Sequence, residues 1–391
     1  MSDPTGPLSG VRILDLSALA PGPFATMLLG DLGAEVITVE APAAARSGSG
    51  LGALPGYGGE RARRQGINPL YRSRRSLVLD LKQPQALEIA LQLAQRSDVF
   101  VEGFRPGTCE RLGLGYDTVA ARNPAIVYCS LTGYGQSGEL AMRAGHDLNY
   151  IAESGLLSAT TRDGQRPGIP VNVVADFAAG GLLAAFGILA GLLGRQASGR
   201  GTHIDVSMYE GLLGLLQVVQ SWTLASAPDP SWGRGLLSGA VPFYDCYRTA
   251  DGQWLSVAAL EPKFFANLCT ALGRPDLISA YADQSRWGEL RAAFEKTFSA
   301  ASLAEWLARL EEVDTAVAPV RSLPDAFDAA QRRGLLDAPG VVGPLPRMSA
   351  WKPTAGSVVT RPGQHTREIL DEIGLSPDEI ETLRATGAVT E

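Results

Sequence analysis

Three histidines occur in the 391 residues, His146, His203 and His365, and His146 has the setting that suits chemistry. It lies in GHDLNY, residues 145–150, after a stretch that reads as a strand followed by a glycine-rich turn. That puts it at the C-terminal edge of a sheet, where open α/β folds bind ligands. An imidazole there can pass protons near neutral pH, although a lone histidine at a strand end can equally be a packing residue. Gly145 would let a ligand approach closely, and Asp147 would orient polar groups. Asp176 is the second candidate, a carboxylate interrupting the apolar VNVVADFAAGG. It reads either as a helix cap or as an acid facing a ligand admitted by Gly180 and Gly181. Glu261 is the third, set between the strand-like SVAAL and a helix opened by Pro262, where an acidic N-cap is the plain alternative. His203 falls in a strand-like alternation as a packed or surface residue, and His365 in a polar tail, where solvent exposure is expected.

Cationic residues are the other chemical signal. Arg61, Arg63, Arg64, Arg72, Arg74 and Arg75 crowd one stretch, with Lys82 and Arg105 at strand ends. Such runs usually form solvated faces. In a chain of net charge −7, a local cationic group near a sheet edge also suits a phosphorylated ligand, because guanidinium groups match phosphate oxygens in pairs. The same acidic balance opposes general nucleic-acid binding. No His or Cys pair has metal-ligand spacing, so no metal centre is expected.

These residues need elements to hold them. Residues 11–17 read as a buried strand, Pro21 to Pro23 as a turn, 24–33 as a helix and 34–40 as a second strand, which together make a βαβ unit without GxGxxG. A loop rich in Gly, Pro, Ser and Arg over 41–69 is expected to cover a site. Strands at 76–82, 98–104, 125–135 and 203–211, alternating with helices at 83–97 and 116–122, predict a doubly wound α/β domain. The apolar run 180–193 is too short for a membrane span and reads as a buried helix. Beyond residue 211 the texture changes to a long apolar helix, a β-hairpin turning at 250–252, helices at 262–273, 286–300 and 303–312, and a strand at 314–320. A Pro/Gly-rich linker at 338–362 and two helices follow, the last opening on a capping box of Ser376 and Glu379. The length, above the roughly 250–300 residues at which single cores stop growing, predicts a large domain over 1–211, a small domain over 212–335 and a returning segment over 336–391. Four scattered cysteines and an N-terminus without a signal pattern point to the cytoplasm.

The ordered segments GPLSGVRILDLSALAPGPFATMLLGDLGAEVITVE, RSRRSLVLDLK, EGFRPG and GLGYDTVAARNPAIVYCSLTGYGQSG resemble family III CoA-transferases (CaiB/BaiF) and their α-methylacyl-CoA racemase relatives over nearly the full length. The resemblance implies a Rossmann-like large domain with a parallel sheet, a smaller α+β domain, and an interlocked homodimer. It places the chain in fatty-acid metabolism, with CoA entering as part of an acyl-CoA substrate and no other cofactor. GHDLNY followed by Asp176 and the Glu261–Pro262 pair match the racemase branch. By that resemblance His146, kept basic by Glu261, and Asp176 exchange the α-proton of a 2-methylacyl thioester on opposite faces. Leu79, Asp80, Leu81, Lys82, Gly103 and Arg105 are implied to contact CoA, and Gly145, Asp147, Leu148, Asn149 and Tyr150 to cradle the thioester. The chain has Ala41 where many racemases carry an Arg, so phosphate contact there would pass to Arg46 or the neighbouring arginines. Three alternatives stay open: a CoA-transferase using Asp176 as nucleophile, a dehydrogenase using Glu40 on a ribose, and a non-catalytic acyl-CoA-binding protein that would hold its ligand without turnover.

Overall fold

The continuous apolar runs form strands buried on both faces, the pattern a parallel sheet covered by helices requires. In a computed structural model that describes residues 6–42, 58–162, 164–338 and 340–390, the strands are β1 (Arg12–Asp15), β2 (Glu35–Glu40), β3 (Arg75–Leu79), β4 (Val99–Glu102), β5 (Val127–Thr132) and β6 (Thr202–Ser207). With β10 (Val389–Thr390) they make one sheet in the order β10-β3-β2-β1-β4-β5-β6. Every pairing is parallel except β10 with β3. The chain therefore runs outward from β1 to β3 and restarts at β4. That reversal leaves a crevice beyond the C-terminal ends of β1 and β4.

One side of the sheet carries a core that joins Leu14, Leu77, Phe100 and Tyr128 to Ile89 of the helix Pro84–Gln95 and to Ile369 and Ile380 of the C-terminal helices Thr366–Glu372 and Pro377–Ala385. The last helix opens on the expected capping box between Ser376 and Glu379. A second compact unit, residues 152–169 and 216–340, is built on β7 (Tyr244–Arg248), β8 (Trp254–Ala258) and β9 (Val317–Pro319), antiparallel in that order. The hairpin between β7 and β8 turns where expected, with Gly252 at φ 78°. Its core combines aliphatic residues such as Leu255, Val257 and Leu268 with a chain of pairwise ring contacts through Phe243, Phe265, Phe294, Tyr247, Phe298 and Trp306.

Three expectations need correction. The apolar run 180–193 is only the middle of a continuous helix, wound wide over Val173–Leu182 and as an α-helix over Leu183–Ser198, which is long and apolar enough by length and composition to cross a membrane. It is not buried all round: Ala184, Ala185, Ile188 and Leu192 are covered, whereas Phe186 and Leu193 are 68% and 69% exposed. Of the expected linker 338–362, the described residues 340–362 form a strap and no free linker. Val358 bridges to Arg72, Ser357 O accepts from Ser73 N at 3.3 Å, and Val359 N donates to Tyr71 O at 2.9 Å. Finally, β10 extends the sheet by an edge strand too short to leave a pattern in the sequence.

Candidate active site

His146 opens a helix. Its carbonyl accepts from Asn149 N at 2.8 Å and Tyr150 N at 3.3 Å, and its own N–H donates to Asn149 Oδ1 at 3.0 Å. The Asn149 amide oxygen thus covers the His146 N–H, the back-reaching half of a capping box, while the His146 side chain takes no part in the cap. The helix Asp147–Glu153 follows, so GHDLNY is a helix start whose first residue is left exposed. Tyr150 turns back and donates to Gly145 O at 2.7 Å. A Cβ on Gly145 would lie 2.7 Å from the Tyr150 ring, and one on Gly133 2.4 Å from its hydroxyl. The glycines thus admit a tyrosine, and the expected ligand approach at Gly145 is corrected accordingly. Leu148 is 39% exposed, while Asp147 is buried.

Asp176 stands in the first turns of the helix starting at Val173, and its side chain caps nothing. Its Oδ2 accepts from Asn172 Nδ2 at 3.0 Å, an i,i+4 pair across the helix start. The backbone N–H groups of Ala175 and Asp176 donate to Asp147 Oδ2 at 2.7 and 2.8 Å. Two of the orphan donors at this helix end are therefore satisfied by the residue after His146. Burial pushes the Asp176 carboxyl above the ordinary aspartate range. Asn172 and the nearby His146 pull it back down, and Asp147 adds to the rise. Burial likewise raises Asp147, against the two N–H bonds it receives. Gly180 and Gly181 serve packing and not ligand access: a Cβ would meet Met208 Cγ at 2.9 Å in the first case and Phe24 Cδ1 at 2.7 Å in the second. Asn172 was not singled out by the sequence, although its i,i+4 spacing from Asp176 is the signal that finds it.

The Tyr150 hydroxyl is pushed up to about 12 chiefly by burial, and it feels Tyr134, Asp176, Arg105 and Asp147 in that order. Arg105, exposed just beyond β4, thus lies within electrostatic reach of Tyr150 in the GHDLNY segment. Gly103 is exposed at the same strand end. Leu79 is buried in the core at the end of β3, and Leu81 packs on that core. Asp80 accepts from Lys82 N at 3.3 Å and Gln83 Nε2 at 3.2 Å, which fixes the turn and leaves Lys82 exposed. Glu261 belongs to the second unit, exposed at the start of the helix Pro262–Ala271, and makes no side-chain capping bond.

The arginine cluster is the largest correction. Arg63 is 1% exposed, pairs with both Glu40 oxygens at 2.7 and 2.8 Å and donates to Val359 O. Arg72 holds the fully buried Asp31 at 2.6 Å, Arg74 meets Asp15 at 3.2 Å, and Arg75 is shared by Glu35, Glu368 and Glu372. Four of the six are structural, because each faces a carboxylate brought up by a distant part of the fold. Arg61 and Arg64 remain exposed, as does Ala41, and Arg46 lies outside the described residues. Glu40, taken by Arg63 and by Ser76 Oγ, is not presented to a ribose. His365 is half-buried, with Nδ1 accepting from Ser76 N at 3.1 Å, because the strap carries it against β3, so the expected exposure does not hold. His203 stacks on Tyr116 and meets Ser130 Oγ at 3.0 Å, a packing role.

Residues 8–338 match the model of CoA-transferase family III. The chain is 38% identical to human alpha-methylacyl-CoA racemase over 389 residues, covering 97% of this chain and 96% of that protein. It is 36% identical to mouse succinyl-CoA:glutarate CoA-transferase over 409 residues, covering 99% and 91%. The crystal structure of a CAIB/BAIF family protein from Brucella suis shares the fold, with a TM-score of 0.78 at 24% identity over 94% of this chain and 100% of that one. With a seven-stranded, mostly parallel sheet that reverses between β1 and β4, and with a match of this extent, the chain belongs to CoA-transferase family III and is an acyl-CoA enzyme of that family.

Proposed function

We propose that this enzyme is an α-methylacyl-CoA racemase that epimerises the α-carbon of 2-methylacyl-CoA thioesters, with His146 and Asp176 as its acid–base pair. The observation that carries the reading is the link between the two candidates: Asp147, next to His146, accepts from Ala175 N and Asp176 N at 2.7 and 2.8 Å, and burial raises the Asp176 carboxyl. A proton donor and a proton acceptor on opposite faces of the α-carbon suit inversion, because one group returning its own proton would restore the same epimer. His146 takes the α-proton, and the C–H electron pair moves onto the thioester oxygen as an enolate. Asp176 then gives its proton to the opposite face. The ionised Asp176 and protonated His146 left behind are the pair the reverse reaction needs. The N–H of Asp147, in the first turn of its helix and so without an intrahelical partner, suits the enolate oxygen, a contact worth about 3 kcal/mol in comparable sites. The CoA portion is assigned to Leu79–Lys82, Gly103 and Arg105.

A CoA-transferase reading, in which ionised Asp176 attacks the thioester, is favoured by the similarity to the glutarate enzyme. The rise of the Asp176 carboxyl weighs against it, since a nucleophile works as the carboxylate. Self-association as an interlocked homodimer belongs to the same proposal. Its support is the exposed row Leu182, Phe186, Leu189 and Leu193, whose 4-3-4 spacing makes one apolar stripe along the helix.

One epimer of a 2-methylacyl-CoA incubated in heavy water decides the reaction, with a parallel sample given a free carboxylic acid. Deuterium at the α-carbon together with epimerisation is expected. CoA transferred to the added acid without deuterium would overturn the racemase. His146→Ala and Asp176→Asn should each lower epimerisation by at least about 100-fold, the usual range for a lost acid or base.

A further inference from the structure

Asp147 is buried, yet it sits between two residues exposed to the site, His146 and Leu148. One of its oxygens, Oδ2, accepts from Ala175 N and Asp176 N at 2.7 and 2.8 Å. The other, Oδ1, is buried with no hydrogen-bond partner among the described residues. An unmet buried acceptor costs about 1–3 kcal/mol. A serine or threonine would satisfy the helix end without a second oxygen to bury, so stability alone does not account for a carboxylate here. What the carboxylate does achieve is geometric. It ties the first turn of the helix bearing Asp176 to the residue that follows His146, across 28 and 29 residues of intervening sequence.

We infer that Asp147 is a positioning residue, whose side chain clamps the Asp176 helix to the His146 helix start and so sets the separation of the two proton-transfer groups. The inference rests on the racemase reading and deepens it. The clamp bears on orientation and not on substrate affinity, because a displacement of about 1 Å between a reacting group and its substrate can cost 100-fold in rate. Lengthening the arm by one methylene keeps both charge and acceptor while moving the helix, which separates positioning from charge.

The test compares wild type with Asp147→Asn, Asp147→Ala and Asp147→Glu, using one 2-methylacyl-CoA epimer in heavy water and measuring kcat and KM separately. Asp147→Ala and Asp147→Glu should lose about 100-fold in kcat with KM within about threefold, and Asp147→Asn, which keeps the acceptor and the arm length, should recover to within about tenfold of wild type. Amide exchange at Ala175 and Asp176 should quicken in Asp147→Ala and stay slow in Asp147→Asn. Should the alanine variant not fold, the glutamate variant carries the kinetic test alone. A glutamate variant with wild-type kcat, or exchange at the two amides that is indifferent to Asp147, would overturn the clamp. If wild type itself incorporates no deuterium, the racemase reading falls separately, and the amide exchange still decides whether the clamp exists.

Discussion

Asp176 is held in a state that works against the fold. Its carboxyl is raised above the ordinary range because burial disfavours the anion. A group with a raised folded value contributes stability that is fully present below its unfolded value and is lost as pH rises through the folded value, so at neutral pH burial of Asp176 weakens the native state relative to a side chain that never ionises. Asp176→Asn should therefore raise Tm at pH 7 while it abolishes epimerisation, and the gain should shrink at a pH below the ordinary aspartate range, where both side chains are neutral. A melting series across pH checks this, and a variant less stable at pH 7 would refute it. In the direction where Asp176 donates, its ionisation should close the alkaline side of the kcat/KM profile, and in the reverse direction, where it is the base, its protonation should set an acid limb above the usual aspartate value. Residue types alone leave His146 and Asp176 as open to a packing histidine and a helix cap as to chemistry, and it is the ordered family segments that raise both to candidates. The arginines were not legible in that way, because nothing local to Arg63, Arg72 or Arg74 announces that Glu40, Asp31 and Asp15 will meet them across the fold.

At the scale of elements, the buried ion pairs fasten the strap to the sheet. Arg72 satisfies Asp31, which is fully enclosed, and also donates to Val342 O at 2.9 Å. Removing one partner of a buried pair leaves an uncompensated charge, at a cost of about 3–5 kcal/mol. Arg72→Ala should lower the unfolding free energy by that amount in a denaturant titration, and a loss below about 1 kcal/mol would show that the pair does not anchor the strap. The parallel strands were legible because burial on both faces writes itself as a continuous apolar run. The strap and β10 were not, since their pairing partners lie near residues 72 and 79 and neither segment repeats with a period of its own.

At the scale of the whole molecule, the apolar stripe of the helix Leu183–Ser198 is one of the features that a single copy leaves uncovered. Charging it should separate the proposed dimer without disturbing the core, because Phe186 and Leu193 face outward while Ala184 and Ile188 pack inward. Phe186→Glu combined with Leu193→Glu should shift the sedimentation coefficient from dimer to monomer. A wild type already monomeric at micromolar concentration would refute the assembly. The stripe was misread as buried because its hydrophobicity is the same on both sides, and composition carries no record of which side meets the sheet.

The late arrival of β10 has a consequence for synthesis. Strand β3 receives its outer neighbour from Val389 and Thr390. At the usual pace of about 5–20 residues per second, a ribosome leaves that edge open for roughly 15 to 60 seconds after β3 has emerged. The exposed strand, RSLVL, has the apolar character of an aggregation-prone edge, and Arg75 at its start is the charge that guards it. The guanidinium that ends in ion pairs with Glu368 and Glu372 in the finished protein is a charge at the head of an otherwise apolar strand, the kind of residue that discourages edge-to-edge pairing.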